Sequence, residues 1–229
     1  MPTVHPSQLS STQEITMKIG IIGSGVVAQS LAAGFLKNGH QVTLGTSAPA
    51  KLADWQASNP KAQVASASDA AAFGELIVLA VKGHAAIAAV KAAGVKNFEG
   101  KTVIDTNNPI ADKPPVDGVL QFFTSGSDSL LEQLQREYPG VKFVKAFNSV
   151  GSAFMVDPQF RNGPPTMFIC GNDTGAKATV SGIAQSFGWD VADMGTAVAA
   201  RAIEPLCMLW CIPGLARNEW THAFKLLKL

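Results

Sequence analysis

An apolar run, MKIGII (17–22), passes straight into Gly23-Ser24-Gly25-Val26-Val27-Ala28, and a stretch with helical spacing follows. This unit constrains the fold more than any other feature of the chain. The run reads as a buried parallel strand. Val27, Leu31, Phe35 and Leu36 recur at helical spacing, and Asn38-Gly39 ends the helix. The G-x-G-x-x-A pattern is weak alone and gains meaning from this context. Gly23 permits the tight turn, Gly25 admits a pyrophosphate to the backbone, and Ala28 keeps the helix close to the strand. The helix N-terminus then offers free N–H groups and a partial positive charge to a diphosphate.

The rest of the chain repeats the alternation. Strand candidates are HQVTLG, QVAS, ELIVLAV (75–81), KTVIDTNNP (101–109), VKFVKAFN (141–148), PTMFICG (165–171) and GWDVADMG (188–195). Helical segments lie between most of them. Alternating strands and helices imply an α/β fold: a doubly wound, mainly parallel sheet, with a small helical part at the C-terminal end. The expected division is a polar, flexible lead-in over 1–16, a dinucleotide-binding domain over 17–195 and a helical, aromatic segment over 196–229.

Composition narrows the function. Net charge is +1 with 15% charged residues, and no basic block calls for nucleic acid. Three cysteines, Cys170, Cys207 and Cys211, read as buried thiols, and no metal pattern accompanies them. Residues 1–16 have no secretory signature. The segment AIEPLCMLWCIPGLA is interrupted by Glu204-Pro205 and by Pro213, and reads as too short to span a membrane. The expectation is a cytoplasmic chain with no membrane part.

HQVTLGTSAPAK (40–51) holds neither Asp nor Glu. An acid about 20 residues past the glycine turn normally grips the ribose of NAD and repels the extra phosphate of NADP. Here Thr46 and Ser47 offer hydroxyls and Lys51 a positive charge, a set that favours NADP over dual use or NAD. Lys51 also reads as an ordinary solvated helix lysine.

Open sheets of this kind bind ligands at the carboxyl ends of their strands. Ala80-Val81-Lys82-Gly83-His84, Asp105-Thr106-Asn107-Asn108-Pro109 and Lys145-Ala146-Phe147-Asn148-Ser149 meet there. The loop IADKPPVDGV (110–119) follows one such end. Ala80 and Val81 can pack on the nicotinamide or its sugar, and backbone amides and Asn side chains can fix the carboxamide. Each Asn is equally a turn former. Lys145 either aims a charge at the cofactor or is a surface lysine at a strand end. His84 is a candidate proton donor or a capping residue. No Ser-His-Asp elbow or Tyr-x-x-x-Lys pair is present, so hydride transfer between two bound cofactors, driven by proximity, fits best. The competing readings are an NADPH-dependent reductase of a small carbonyl or imine, and a non-catalytic NADP-binding redox sensor.

MKIGIIGSGVVAQSLA, VTLGTS, TNNP, VKAFNSV, ARAIEPL and THAFKLLK together resemble the NADP oxidoreductases dependent on the deazaflavin coenzyme F-420. The resemblance runs from about residue 17 to the end. The cytosolic domains of membrane-bound ferric reductases look similar. The resemblance implies a Rossmann core, a homodimer, and hydride transfer between NADP and a deazaflavin, or a flavin in its place. It implies that Gly23, Ser24, Gly25, Val26 and Val27 hold the diphosphate, and that Thr46, Ser47 and Lys51 meet the 2′-phosphate. Ala80, Val81, Asn107, Pro109, Ala146 and Asn148 would surround the nicotinamide. Glu204, Pro205, Leu206 and Trp210 would wall the second ring, and Trp220 and Phe224 would bind a ring or form core.

Overall fold

The computed structural model describes residues 16–229, so the expected lead-in over 1–16 lies, all but its last residue, outside the described residues. The first half alternates strictly: β1 (Lys18–Ile22), α1 (Val26–Lys37), β2 (Gln41–Gly45), α2 (Ala53–Ser58), β3 (Gln63–Ala65), α3 (Ala67–Phe73), β4 (Leu76–Leu79), α4 (Ala86–Ala92) and β5 (Thr102–Asp105). The second half adds α5 (Leu130–Glu137), β6 (Lys142–Lys145), β7 (Thr166–Gly171), α6 (Thr174–Ser186), β8 (Asp190–Asp193), α7 (Ala200–Ile203) and α8 (Pro205–Arg217). The strands form one sheet in the order β3-β2-β1-β4-β5-β6-β7-β8. All neighbours run parallel except β6 and β7.

Side-chain alternation within the strands builds two cores. Ile19, Ile21, Val78, Ile104 and Val144 face α1 and α6, where Leu31, Phe35, Val180 and Phe187 are buried. Ile22, Ile77, Leu79, Val103 and Phe143 face α3, α4 and α5, where Ala70, Val90, Leu131 and Leu134 are buried. This is the three-layer arrangement the alternation predicts. Each fully buried large side chain contributes roughly 1.5–3 kcal/mol. Because β1 pairs with β2 on one side and β4 on the other, the chain reverses direction across the sheet at β1. Such a reversal opens a crevice at the strand carboxyl ends.

The C-terminal segment departs from the sequence reading in two ways. First, Pro213 does not end α8, which runs on to Arg217. The helical run Ala197–Arg217 is long and apolar enough, by length and composition alone, to cross a membrane. In the fold its inner face, with Ile203, Cys207, Trp210 and Gly214, is buried. Second, residues 218–229 are not helical. Asn218 takes the left-handed conformation (φ 57°) and closes α8. The tail then runs beside β7. Thr166 N donates to the Phe224 carbonyl at 2.9 Å, and Leu226 N donates to Thr166 Oγ1 at 3.0 Å. The tail fills a gap in the ladder, because β6 pairs with β7 only at Cys170 and Gly171. An unpaired strand edge is thereby satisfied. Trp210 stacks on His222 with centroids 5.0 Å apart and packs against Trp220, so these aromatics bind the tail to α8.

Candidate functional site

A cleft of about 780 Å³ opens at the carboxyl ends of β1, β2, β4 and β5. Gly23 to Val27, Gly45 to Ser47, Ala80 to His84 and Thr106 to Asn108 line it. The turn after β1 is built for this position. Gly23 has φ +141°, and a Cβ there would sit 2.1 Å from the Ala80 carbonyl oxygen. Only glycine lets the chain turn there while staying against β4. Its N–H donates to the Gly45 carbonyl at 3.0 Å, which ties the turn to β2.

Gly25 differs. Its φ is −77° and ψ 178°, open to any residue, and nothing lies within 4 Å of the place a Cβ would occupy. Neither backbone nor packing demands glycine here. The residue keeps a space clear at the start of α1, directly on the cleft. There Val26, Val27 and Ala28 present amides with no acceptor inside the helix, and no acid occupies the first turn. That cradle fits a diphosphate, which a side chain at position 25 would displace.

At the end of β2 the wall is Gly45, Thr46 and Ser47, without an acid. Thr46 Oγ1 accepts the Ala48 N–H at 3.0 Å, which leaves its own hydroxyl proton to donate. Ser47 is exposed. Lys51 is also exposed, on a short turn (Pro49–Leu52) outside the cleft wall. Lys82 and His84 sit on the wall with exposed side chains, and Asp112 is the one carboxylate among the lining residues.

The nicotinamide set divides. Ala80, Val81 and Asn107 reach the wall, whereas Pro109, Ala146 and Asn148 lie behind it, buried. Asn107 is 2% exposed and its amide is committed to the framework. Its Oδ1 accepts the Val81 N–H at 2.9 Å and its Nδ2 donates to Asp105 Oδ1 at 2.8 Å. The side chain therefore joins the ends of β4 and β5 and forms wall rather than a free amide. Asn108 and Asn148 pair reciprocally: Asn108 Nδ2 donates to the Asn148 carbonyl at 2.7 Å, and Asn148 Nδ2 to Asn108 Oδ1 at 3.1 Å. Phe147, held at φ +59°, turns β6 back toward this pair. A bulky residue in that conformation is strained. Asn148 Oδ1 is buried without a partner among the described residues.

Lys145 is neither a surface lysine nor aimed into the cleft. It is 0% exposed, with Nζ 2.7 Å from Asp105 Oδ2, 2.9 Å from Glu204 Oε1 and 2.7 Å from the Asn107 carbonyl. Burial alone pulls an ammonium down, but the Asp105 and Glu204 charges outweigh it and raise the group above its ordinary value. Glu204 does not wall a second ring either. Its carboxylate accepts the Leu130 and Leu131 N–H groups, both at 3.0 Å, and caps α5 from 74 residues away in sequence. Pro205, Leu206 and Trp210 are likewise absent from the cleft lining.

Sequence reading missed Ala67 at the start of α3, and Ala89 and Ala92 on α4, which complete the cleft. An isolated alanine carries no signature, so no local signal could have found them. The loop after β5 was flagged by its position, and its first residues Ile110, Ala111 and Asp112 do line the cleft.

Comparison with known proteins fits this geometry. A sequence profile described as NADP oxidoreductase, coenzyme F420-dependent, matches residues 18–109. A crystal structure from Arthrobacter sp. FB24, of a protein proposed to be an F420-dependent NADP-reductase, is 35% identical. It covers 93% of this chain and 100% of its own, with a TM-score of 0.87. The rat (Rattus norvegicus) metalloreductase STEAP3 is 32% identical over 204 residues, 86% of this chain; the chain spans 38% of that relative's length. An imine reductase of Aspergillus terreus shares the fold at 18% identity, with a TM-score of 0.64 over 89% of this chain and 63% of its own. With its fold and full-length similarity agreeing, the chain belongs to the family of coenzyme F420-dependent NADP oxidoreductases and is an NAD(P)-dependent oxidoreductase.

Proposed function

We propose that this chain transfers a hydride between NADP(H) and a deazaflavin or flavin-like ring held in the same cleft. The observation that carries the reading is Gly25, kept clear of any side chain at the open start of α1 beside a wall without an acid at the end of β2. Gly23 to Val27 cradle the diphosphate. Thr46 and Ser47 donate to the 2′-phosphate, and Lys51 adds its charge from outside the wall. Val81 and Asn107 back the nicotinamide end. When bound, the nicotinamide supplies or accepts the hydride with its electron pair, and the second ring exchanges the accompanying proton with solvent. The protein's part is to hold the two rings together and keep the phosphates fixed.

Titration with NADPH and NADH, then with NADPH plus a deazaflavin or FMN, tests this. NADPH preference with reduction of the added ring supports the reading; tight NADPH binding with no ring reduced overturns the two-cofactor part. One observation favours a second reading, reduction of a small carbonyl or imine: His84 stands exposed on the cleft wall, able to donate a proton. Loss of carbonyl turnover in His84→Ala would support it. We also infer a homodimer through the outward face of α8, where Leu209 (54% exposed) and Leu215 (42%) remain uncovered. Three free thiols suit a reducing compartment and support a cytoplasmic location.

A further inference from the structure

Asp105, Lys145 and Glu204 close a buried cluster in which two carboxylates face one ammonium. The formal sum is one negative charge. It is not shared evenly. At the Glu204 end, the Leu130 and Leu131 amides belong to the first turn of α5, whose N-terminus carries a partial positive charge. At the Asp105 end, the partners besides Lys145 are neutral: the backbone N–H of Asn107 at 3.0 Å and its side-chain amide at 2.8 Å. The uncompensated charge therefore lies toward Asp105. Thr106, Asn107 and Asn108, the next three residues, form the cleft wall.

We propose that this cluster is an electrostatic positioning device: it sets a negative potential behind the wall at Asn107 and favours the oxidised, cationic nicotinamide over the neutral reduced ring. The inference rests on the proposed placement of the nicotinamide against Val81 and Asn107. Asp105 acts through Asn107 and Lys145 through Asp105, so both are positioning residues. A buried unit charge this near a ligand acts through a low effective dielectric and is poorly screened by salt.

The test measures the dissociation constants of NADP+ and NADPH separately on folded Asp105→Asn. Asparagine keeps the acceptor that Asn107 uses and removes the charge. The ratio Kd(NADP+)/Kd(NADPH) should rise roughly three- to tenfold over the unmodified chain. A purely structural role would weaken both forms together and leave the ratio unmoved, and that result overturns the inference while the functional reading stands. If Asp105→Asn fails to fold, Glu204→Gln decides the matter. Its ratio should rise by a smaller factor, about twofold, because α5 already offsets that carboxylate; an unchanged or falling ratio overturns the inference. An unmodified chain that binds neither form overturns the functional reading and the inference with it.

Discussion

Lys145 at the end of β6 and Glu204 between α7 and α8 meet at 2.9 Å, with neither side chain more than 2% exposed. This pair couples the C-terminal helices to the sheet beneath the cleft. Removing one member strands the other's charge in the interior. Lys145→Met should therefore lower stability by about 3–5 kcal/mol, read as a shift in the denaturant midpoint. A shift below about 1 kcal/mol, the usual worth of an exposed pair, would show that the cluster is solvated in solution.

Gly25→Val should leave the fold intact and abolish nucleotide binding. The backbone accepts valine at φ −77°, and no protein atom lies within 4 Å of the new Cβ. The melting temperature should stay within a degree or two while NADPH binding is lost in a calorimetric titration. Unchanged affinity in the folded variant would remove the diphosphate from this turn.

Ser47→Asp should invert coenzyme preference. It places a negative charge on the acid-free wall at the end of β2. A carboxylate there repels the 2′-phosphate and accepts hydrogen bonds from a ribose diol. Affinity for NADPH should fall by roughly tenfold, with NADH gaining. Equal loss of both would place the 2′-phosphate elsewhere.

The cysteines should react in sequence. Burial pushes the Cys170 thiol up to about 12. Cys207, hydrogen-bonded to Cys211 and buried, is also raised, whereas that hydrogen bond lowers half-buried Cys211. At pH 8 a thiol reagent should label Cys211 first in the native protein, and all three after denaturation. Labelling of Cys170 without unfolding would contradict the packing of β7 against β6.

Asp128 predicts an acid-sensitive step. Its hydrogen bond to the Arg136 guanidinium holds its carboxyl at about 2, below the ordinary 3.8. A depressed folded value means the contribution is present above pH 4 and is lost as pH falls toward 2. Asp128→Asn should lower the melting temperature slightly at pH 7, where the contribution is present, flatten its fall across that window and change little near pH 2.

Legibility varied with the range of the interactions. The strand, turn and helix from Met17 to Lys37 could be read because apolar periodicity and glycine geometry act over a few residues. The missing acid after β2 was legible for the same reason. Asn107 was readable as a wall residue but not as a framework tie, since its partner Val81 N–H lies 26 residues away. The tail beyond Asn218 was misread as helix because its apolar residues suit either state. The gap it fills beside Thr166 exists only once β6 and β7 have paired.

The amino-acid sequence by itself determined the layered α/β order and the glycine turn after β1, because each follows from local backbone geometry and residue period. Only the tertiary structure decided the fate of the charges. Lys145 and Glu204 read as surface and cleft residues until β5, β6, α5 and the C-terminal helices converge. A buried ion pair depends on groups far apart in the chain meeting within 3 Å, and no local pattern encodes that meeting.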